Sequence, residues 1–455
     1  MNKNPRNHIP EQDAKIRATN FDEVTTGFDL ETAKAEADRC LNCKNPKCME
    51  GCPVSVRIPE FLMAVRQGEL DKAGEIIKST NSLPSVCGRV CPQENQCESK
   101  CVRGKMDQPV SIGGVERFVG DYMLNREVSP VNAPKTGKKV AVIGSGPSGI
   151  TCAAQLIRAG VDVTIYESFH KAGGVLVYGI PEFRLPKALV KKEIDAVVKL
   201  GARLELNTVV GKTVTVDELK KEYDAVFIGS GAGLPQFMNI EGESLSGVLS
   251  ANEYLTRINL MGAFSKDSVT PVIRGKNVAV IGAGNVAMDA ARTALRMGAE
   301  TVTVVYRRGR EEMPARKEEI RHAEEEGVKF MLLTNPVRYE GENGWVKALA
   351  CVKMELGEPD ASGRRRPIPV ENSEFSLPTD LVIVSLGTSP NPLITGSCAE
   401  LKTGKKGTLE VDDDLMTSID GVYAGGDAVT GAATVILAMG AGRKAAASIL
   451  RKLGV

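Results

Sequence analysis

Apolar and polar positions change rhythm near residue 137. Before it there is no β alternation, and "DLETAKAEADRC" (Asp29 to Cys40) and "IPEFLMAVRQGELDKAGEIIK" (Ile58 to Lys78) carry apolar residues three and four apart, which predicts helices around cysteine loops. "SPVNAPKTG" (Ser129 to Gly137), rich in Pro, Ser and Gly, predicts a linker. Then "KKVAVIGSGPSGITCAAQLIRAGVDVTIYE" (Lys138 to Glu167) runs through a buried strand, a glycine turn, a helix and a second strand, a βαβ unit. A second copy follows at "KNVAVIGAGNVAMDAARTALRMGAETVTVVYRR" (Lys276 to Arg308). "YDAVFIGSGAG" and "TDLVIVSLGTSPN" each read as a buried strand ending in a turn, and "GVYAGGDAVTGAATVILAMGAGRKAAASILRKL" as a strand, a glycine turn and a closing helix.

The glycine turns bring in chemistry. Gly144, Gly146 and Gly149 form G-x-G-x-x-G between strand and helix, where missing side chains permit the tight turn, close approach to a pyrophosphate and close helix packing. Glu167 ends the following strand, placed to accept hydrogen bonds from a ribose. In the second unit Gly282 and Gly284 are followed by Asn285 and Ala287, and its second strand ends in Tyr306, Arg307 and Arg308. Two guanidinium groups in place of a carboxylate suit a ribose 2′-phosphate, so this unit is expected to prefer NADPH to NADH. Two dinucleotides in one chain suggest hydride exchange, with FAD in the first unit.

Composition narrows the class. A length of 455 residues suits about three domains. With 58 basic and 57 acidic residues, nothing in the net charge of +1 points to nucleic acid or an anionic membrane. The polar N-terminus and the lack of a long apolar run predict a cytoplasmic protein. Only His8, His170 and His322 occur, little material for a His-based zinc site or a nucleophilic triad, so the chemistry is expected to belong to cofactors.

Eleven cysteines in a reducing compartment argue against a disulfide framework. Eight fall in two groups, "CLNCKNPKCMEGCP" (Cys40, Cys43, Cys48, Cys52) and "CGRVCPQENQCESKC" (Cys87, Cys91, Cys97, Cys101). The spacing C-x2-C-x4-C-x3-C-P is close to that of bacterial ferredoxins, whose fourth cysteine serves a second cluster. Four thiolates can also enclose zinc, so a zinc-structured nucleotide-binding regulator is the alternative of another class. Cys152, Cys351 and Cys398 read as small core residues.

"ADRCLNC", "GCPV", "CGRVCPQ", "YGIPEFRLPK", "YRRGREEMPAR" and "GEPDASGRRRP" occur in order along nearly the whole chain. In them the sequence closely resembles the small (β) subunits of NADPH-dependent glutamate synthase and their relatives. Those relatives are the N-terminal region of dihydropyrimidine dehydrogenase and the large subunit of the electron-bifurcating NADH-dependent ferredoxin:NADP oxidoreductase. The resemblance implies an α/β fold with a helical iron-sulfur domain (1–137), a Rossmann-like FAD domain (138–265 and 388–455) and a Rossmann-like NADPH domain inserted into it (266–387).

It also implies the sites. FAD would meet Gly144, Ser145, Gly146, Pro147, Ser148, Gly149, Glu167, Gly173, Gly174, Val175, Gly426, Asp427, Thr434 and Val435, with Arg184 against its diphosphate. NADPH would meet Gly282, Ala283, Gly284, Asn285, Val286, Arg307, Arg308, Leu386 and Gly387. One 4Fe-4S cluster would take Cys40, Cys43, Cys48 and Cys101. The other would take Cys52, Cys91, Cys97 and the carboxylate of Glu116, leaving Cys87 a bystander although spacing alone nominates it. The expected work is passage of hydride from NADPH to FAD and of single electrons through the clusters to a partner. That partner is a glutamate synthase large subunit or, in the bifurcating branch that "GAGLPQFMNIEGE" and "ANEYLTRINLMGAF" resemble, a smaller 2Fe-2S flavoprotein with ferredoxin as acceptor. Residue 2 is Asn and the length leaves no room for glutaminase or synthase domains, so this chain alone is not expected to make glutamate from glutamine. No obligatory acid–base side chain is expected and no catalytic residue is named, and the chain is expected to work as a hetero- or homo-oligomer.

Overall fold

The computed structural model describes residues 5–455 apart from Ser129 and Ser362. Ser129, which opens the expected linker, and Asn2 lie outside the described residues.

The N-terminal region is helical, with Leu30–Asp38, Ile58–Gln67, Leu70–Lys78, Pro84–Val90 and Ile112–Met123 as its main helices. The expected helical stretch from Ile58 to Lys78 is broken at Gly68, which caps the first helix in the left-handed region at φ +82°. Glycines then let two helices touch. A side chain on Gly88 would start 2.6 Å from the Arg117 backbone, and one on Gly120 2.6 Å from Ser85 N. This contact presses the helix Ile112–Met123 against the cysteine-bearing Pro84–Val90, which is how Glu116 comes to face cysteines far from it in sequence.

The first βαβ unit grows into a parallel sheet ordered Val422–Ala424, Ala225–Ile228, Lys139–Ile143, Asp162–Tyr166 and Arg203–Glu205. The second grows into another, ordered Val248–Ser250, Leu381–Val384, Asn277–Ile281, Thr301–Tyr306 and Lys329–Leu332. An antiparallel sheet built on the long strand Trp345–Pro359 flanks it. The second module lies between two crossings of the chain, Leu234–Pro235 and Thr388–Ser389, which pair with each other as a two-residue antiparallel ribbon.

One expected boundary moves. The strand Val248–Ser250 pairs with Leu381–Val384 and leads into the helix Ala251–Asn259, so both belong to the second sheet, and its module does not begin at 266. Three apolar-edged residues without a glycine turn carry too little periodicity to be assigned from sequence.

The helical region and the flavin-type module share one continuous core, running from Phe61 and Val86 to Val140, Leu156 and Ile449. Its seam is the last helix, Val435–Leu453. A side chain on Gly442 would sit 2.1 Å from Ser148 O, one on Gly440 3.0 Å from Pro53 O, and Arg443 donates to Val54 O at 2.6 Å. None of the described helices is long and apolar enough to cross a membrane.

Candidate functional site

Three glycines of the first turn have separate duties. Gly144, at φ +97°, would drive a side chain to 2.5 Å from Gly229 O, and Gly149 would drive one to 1.9 Å from Gly144 O. Gly146 has ordinary extended geometry (φ −69°, ψ 179°), and a side chain there would meet nothing within 4 Å. It would instead project into the cleft at the N-terminus of the helix Pro147–Arg158, where backbone N–H groups and the helix dipole favour a phosphate.

Glu167, buried at the end of its strand, accepts from Ser145 N at 3.0 Å and from Phe169 N at 2.9 Å, and its Oε2 takes a short hydrogen bond from Ser145 Oγ. Ser145 Oγ in turn accepts from Gly173 N at 2.9 Å, and a side chain on Gly174 would lie 3.1 Å from Gly146 Cα. Ser145 therefore knits Glu167 and the Gly173–Gly174 pair to the glycine turn. Asp427, Thr434 and Val435 close the cleft from the far side, which has a volume of about 350 Å³. Burial pushes the Asp427 carboxyl up to about 6, against a backbone N–H from Ala433, and its desolvated neighbour Tyr178 is pushed up to about 12.

The second glycine turn opens on a larger cleft of about 1220 Å³. Gly282, at φ +118°, would clash with Ser385 O at 2.4 Å, whereas the nearest atom to a side chain on Gly284 is Pro314 Cγ at 4.0 Å. Asn285 accepts from Arg316 N at 2.9 Å, and Val286, Leu386 and Gly387 border the opening. The paired arginines divide. Both border the cleft, but Arg307 is exposed, whereas Arg308 is buried, pairs with Asp360 and donates to Arg365 O at 2.8 Å. Its charge is spent on the antiparallel sheet. Arg364, Lys405 and Lys406 add cations to the same wall.

Arg184 borders the flavin cleft, but its Nη1 donates to both carboxylate oxygens of Asp289 at 2.7 Å and its Nε meets Glu319 at 2.9 Å. The residue expected against a diphosphate thus stands at the cleft wall while ion-paired to the second module. An arginine in a loop gives no sign of which module supplies its partner.

The cysteines sort into two groups in space that differ from their two groups in sequence. Cys40 faces Cys101 and Cys43, and Cys48 faces Cys101 and Cys40; burial, reinforced by these neighbours, pushes Cys48 up to about 12. Cys52 faces Glu116 and Cys91, and Cys97 faces Glu116, Cys91 and Cys52; burial leads again in pushing Cys52 up to about 11. Burial also lifts Glu116 to about 7, although Asn81 Nδ2 donates to it at 2.8 Å. Groups raised in this way stay protonated until a bound metal centre supplies the positive charge that displaces their protons.

Spacing distinguishes the centre. Sulfurs around one zinc stand about 3.8 Å apart, from Zn–S of about 2.3 Å in a tetrahedron. Among the described residues, no three of these thiols have sulfurs all within 4.8 Å of one another; the group that does meet this spacing is Glu11, Glu318 and His322. Cys87 is fully buried beside the second group, with its Sγ 3.6 Å from Asn81 Oδ1 and 3.5 Å from Met439 Sδ.

Residues 17–128 match the dihydropyrimidine dehydrogenase domain II, 4Fe-4S cluster family, and residues 138–442 match the pyridine nucleotide-disulphide oxidoreductase family. The small chain of NADPH glutamate synthase from Escherichia coli is 39% identical over 456 residues, covering 98% of this chain and 97% of that one. This chain belongs to the glutamate synthase small-chain family. The family extends to larger proteins: the β subunit of an NADP-dependent formate dehydrogenase from Moorella thermoacetica is 42% identical over 428 residues, and the match spans 59% of its length. Among solved structures, Mycobacterium tuberculosis FprA in complex with NADPH shares the fold with a TM-score of 0.60 at 22% identity, over 70% of this chain and 85% of that one.

As a glutamate synthase small-chain homologue, the protein is an NADPH-dependent oxidoreductase of FAD and 4Fe-4S clusters. The structure gathers the first glycine set, Glu167, Asp427, Thr434 and Val435 about one cleft, and the second set with Arg307 about the other. Arg308 and Arg184 also border these clefts, with their guanidinium groups engaged by Asp360 and by Asp289 and Glu319. Sequence reasoning missed Asp289, Tyr178, Asn81, Lys405 and Lys406. Only Asp289, one turn into the helix after the second glycine turn, stood beside a signal that could have found it.

Proposed function

We propose that the chain is the electron-input subunit of a glutamate synthase-type complex, with NADPH in the second module and a large synthase subunit as acceptor. NADPH and FAD exchange a hydride pair, and the clusters carry electrons singly. The protein's part is placement. Gly146 and Gly284 leave room for diphosphates, Ser145 fixes Glu167, and the Arg184–Asp289 pair ties the two dinucleotide modules together.

The observation that carries the route is that Val90 and Pro92, on either side of Cys91, lie in the wall of the flavin cleft. The group of Cys52, Cys91, Cys97 and Glu116 is thereby next to the flavin, and the half-buried group of Cys40, Cys43, Cys48 and Cys101 is the exit. End-to-end similarity to the Escherichia coli small chain favours its kind of partner.

Anaerobic purification of the native complex tests both parts. Iron, sulfide and FAD with a co-purifying glutamate synthase large chain are expected; zinc without sulfide, or a different catalytic subunit, would refute the respective half. A Glu116→Ala change should alter one of two cluster EPR signals and Cys87→Ser neither. Two unchanged spectra in Glu116→Ala would remove Glu116 from the ligand set.

A further inference from the structure

We propose that Lys405 and Lys406, carried on a turn of the flavin-type module, grip the diphosphate of the nucleotide that sits in the second module. The inference rests on the reading that NADPH occupies that cleft. It starts from a charge imbalance. The cleft is walled by the cations Arg307, Arg308, Arg364, Lys405 and Lys406, and by no carboxylate among the described residues. A dinucleotide brings negative charge at two places, its diphosphate and its ribose 2′-phosphate.

The five cations are not equivalent. Arg308 is committed to Asp360, and Arg364 is already engaged. Arg307, Lys405 and Lys406 are exposed, with no carboxylate within 4 Å among the described residues. Arg307 follows the second strand of its βαβ unit, Thr301–Tyr306, where a ribose 2′-phosphate is read. The two lysines are left over. Each is a compact point charge on a flexible stem, suited to a phosphate rather than to a planar bidentate partner.

The turn that carries them is firmly built. Gly404 N donates to Thr408 O at 2.8 Å and Gly407 N to Gly404 O at 2.9 Å, with Gly407 in the left-handed region at φ +74°. Thr403 and Leu409 close its base as an antiparallel bridge, Leu409 is buried in the core of the flavin-type module, and its N–H donates to Ala428 O at 2.9 Å. The turn is thereby fixed to the segment from Asp427 to Ala433. Ala432 and Ala433, with Asn285, Val286 and Thr388, border both clefts, so this segment runs from the lysines to the place where the clefts meet. The lysines stand toward the nicotinamide half of the nucleotide, and Arg307 toward the adenosine half. Between these halves lies the diphosphate, where Gly284 leaves room at a helix N-terminus. One module then offers it backbone N–H groups, the other two ammonium groups, and the bound nucleotide bridges them.

The test uses the full chain loaded with FAD and clusters, and probes that do not reduce flavin: NADP+, NAD+ and adenosine 2′-monophosphate, which lacks the diphosphate. In Lys405→Ala with Lys406→Ala, calorimetric titration should find NADP+ and NAD+ weakened by the same factor, about tenfold, and the monophosphate within about twofold of native. Lys405→Arg with Lys406→Arg should recover most of the loss. Both dinucleotides should also slow tryptic cleavage after Lys405 and Lys406, read by mass spectrometry, and the monophosphate should not. Unchanged dinucleotide affinity, a loss confined to NADP+ or shared by the monophosphate, or a lower melting temperature of the nucleotide-free alanine variant would overturn the grip. A native chain that binds no dinucleotide would overturn the NADPH reading itself.

Discussion

Replacing Gly146 by alanine separates cofactor binding from folding. The position has φ −69° and ψ 179°, which alanine adopts without strain, and its Cβ meets no atom within 4 Å. Such a change normally stabilises a fold by about 0.4–1 kcal/mol through the unfolded chain, so the flavin-free protein should melt at the same temperature or slightly higher. The new methyl group stands where a diphosphate would lie against the turn. Losing one charge-assisted hydrogen bond to that phosphate costs about 1.5–3 kcal/mol, or roughly 10- to 150-fold in Kd. Gly149→Ala is the contrast, since its Cβ would fall 1.9 Å from Gly144 O and must disturb the turn itself. Flavin fluorescence quenching on titrating FAD into the apoprotein measures the first effect and a melt of the same sample the second. Native FAD affinity in Gly146→Ala, or a melting temperature that falls as far as in Gly149→Ala, would refute the assignment of the cleft.

Further outcomes follow from the split arginines and from the arm that ties the helical region to the second module. Arg307→Ala should weaken NADPH by about tenfold or more while leaving NADH within about twofold, the value of one charge-assisted contact to a 2′-phosphate. Arg308→Ala strips Asp360 and Arg365 O of a buried partner, so it should lower the melting temperature and weaken both nucleotides in proportion. Glu326 accepts from Arg17 at 3.0 Å, Arg292 at 2.7 Å and Arg296 at 2.7 Å. Burial pushes its carboxyl up, but hydrogen bonds from Arg292 and Arg296 outweigh that and hold it at about 2, below its ordinary 4.5. A depressed folded pKa means this stability, at most about 3 kcal/mol, is present above pH 4.5 and lost as pH falls from 4.5 toward 2. Hydrogen exchange in residues 11–28 should therefore accelerate across that window, and in Glu326→Gln already at pH 7; equal protection in both proteins at pH 7 would refute it.

The two nucleotide modules were legible because a glycine turn between two apolar strands satisfies three local rules at once, and each rule leaves its mark within about thirty residues. What escaped is long-range. Arg307 and Arg308 are neighbours in sequence just past the end of their strand, yet one stays exposed and the other is buried against Asp360, fifty-two residues away. Arg184 carries no sign in its loop that Asp289 will claim it. The division of the cysteines came from family resemblance, since spacing alone would have chosen Cys87 over Glu116. It takes the contact of the glycine-bearing helices to carry Glu116 beside Cys52 and Cys97.

The order of strands in the flavin-type sheet also sets a timetable for synthesis. Ala225–Ile228 waits for its neighbour Val422–Ala424, and between them the ribosome must make the whole second module. At about 5–20 residues per second that delay is roughly 10–40 s, during which the inserted module can close its own sheet while the first stays one strand short. The last helix, Val435–Leu453, emerges later still, and it is the element that brings Met439 against Cys87 and Arg443 against Val54. Until then Cys87, beside the inner thiols, lacks this cover, so metal loading during translation meets a more open site than loading afterwards.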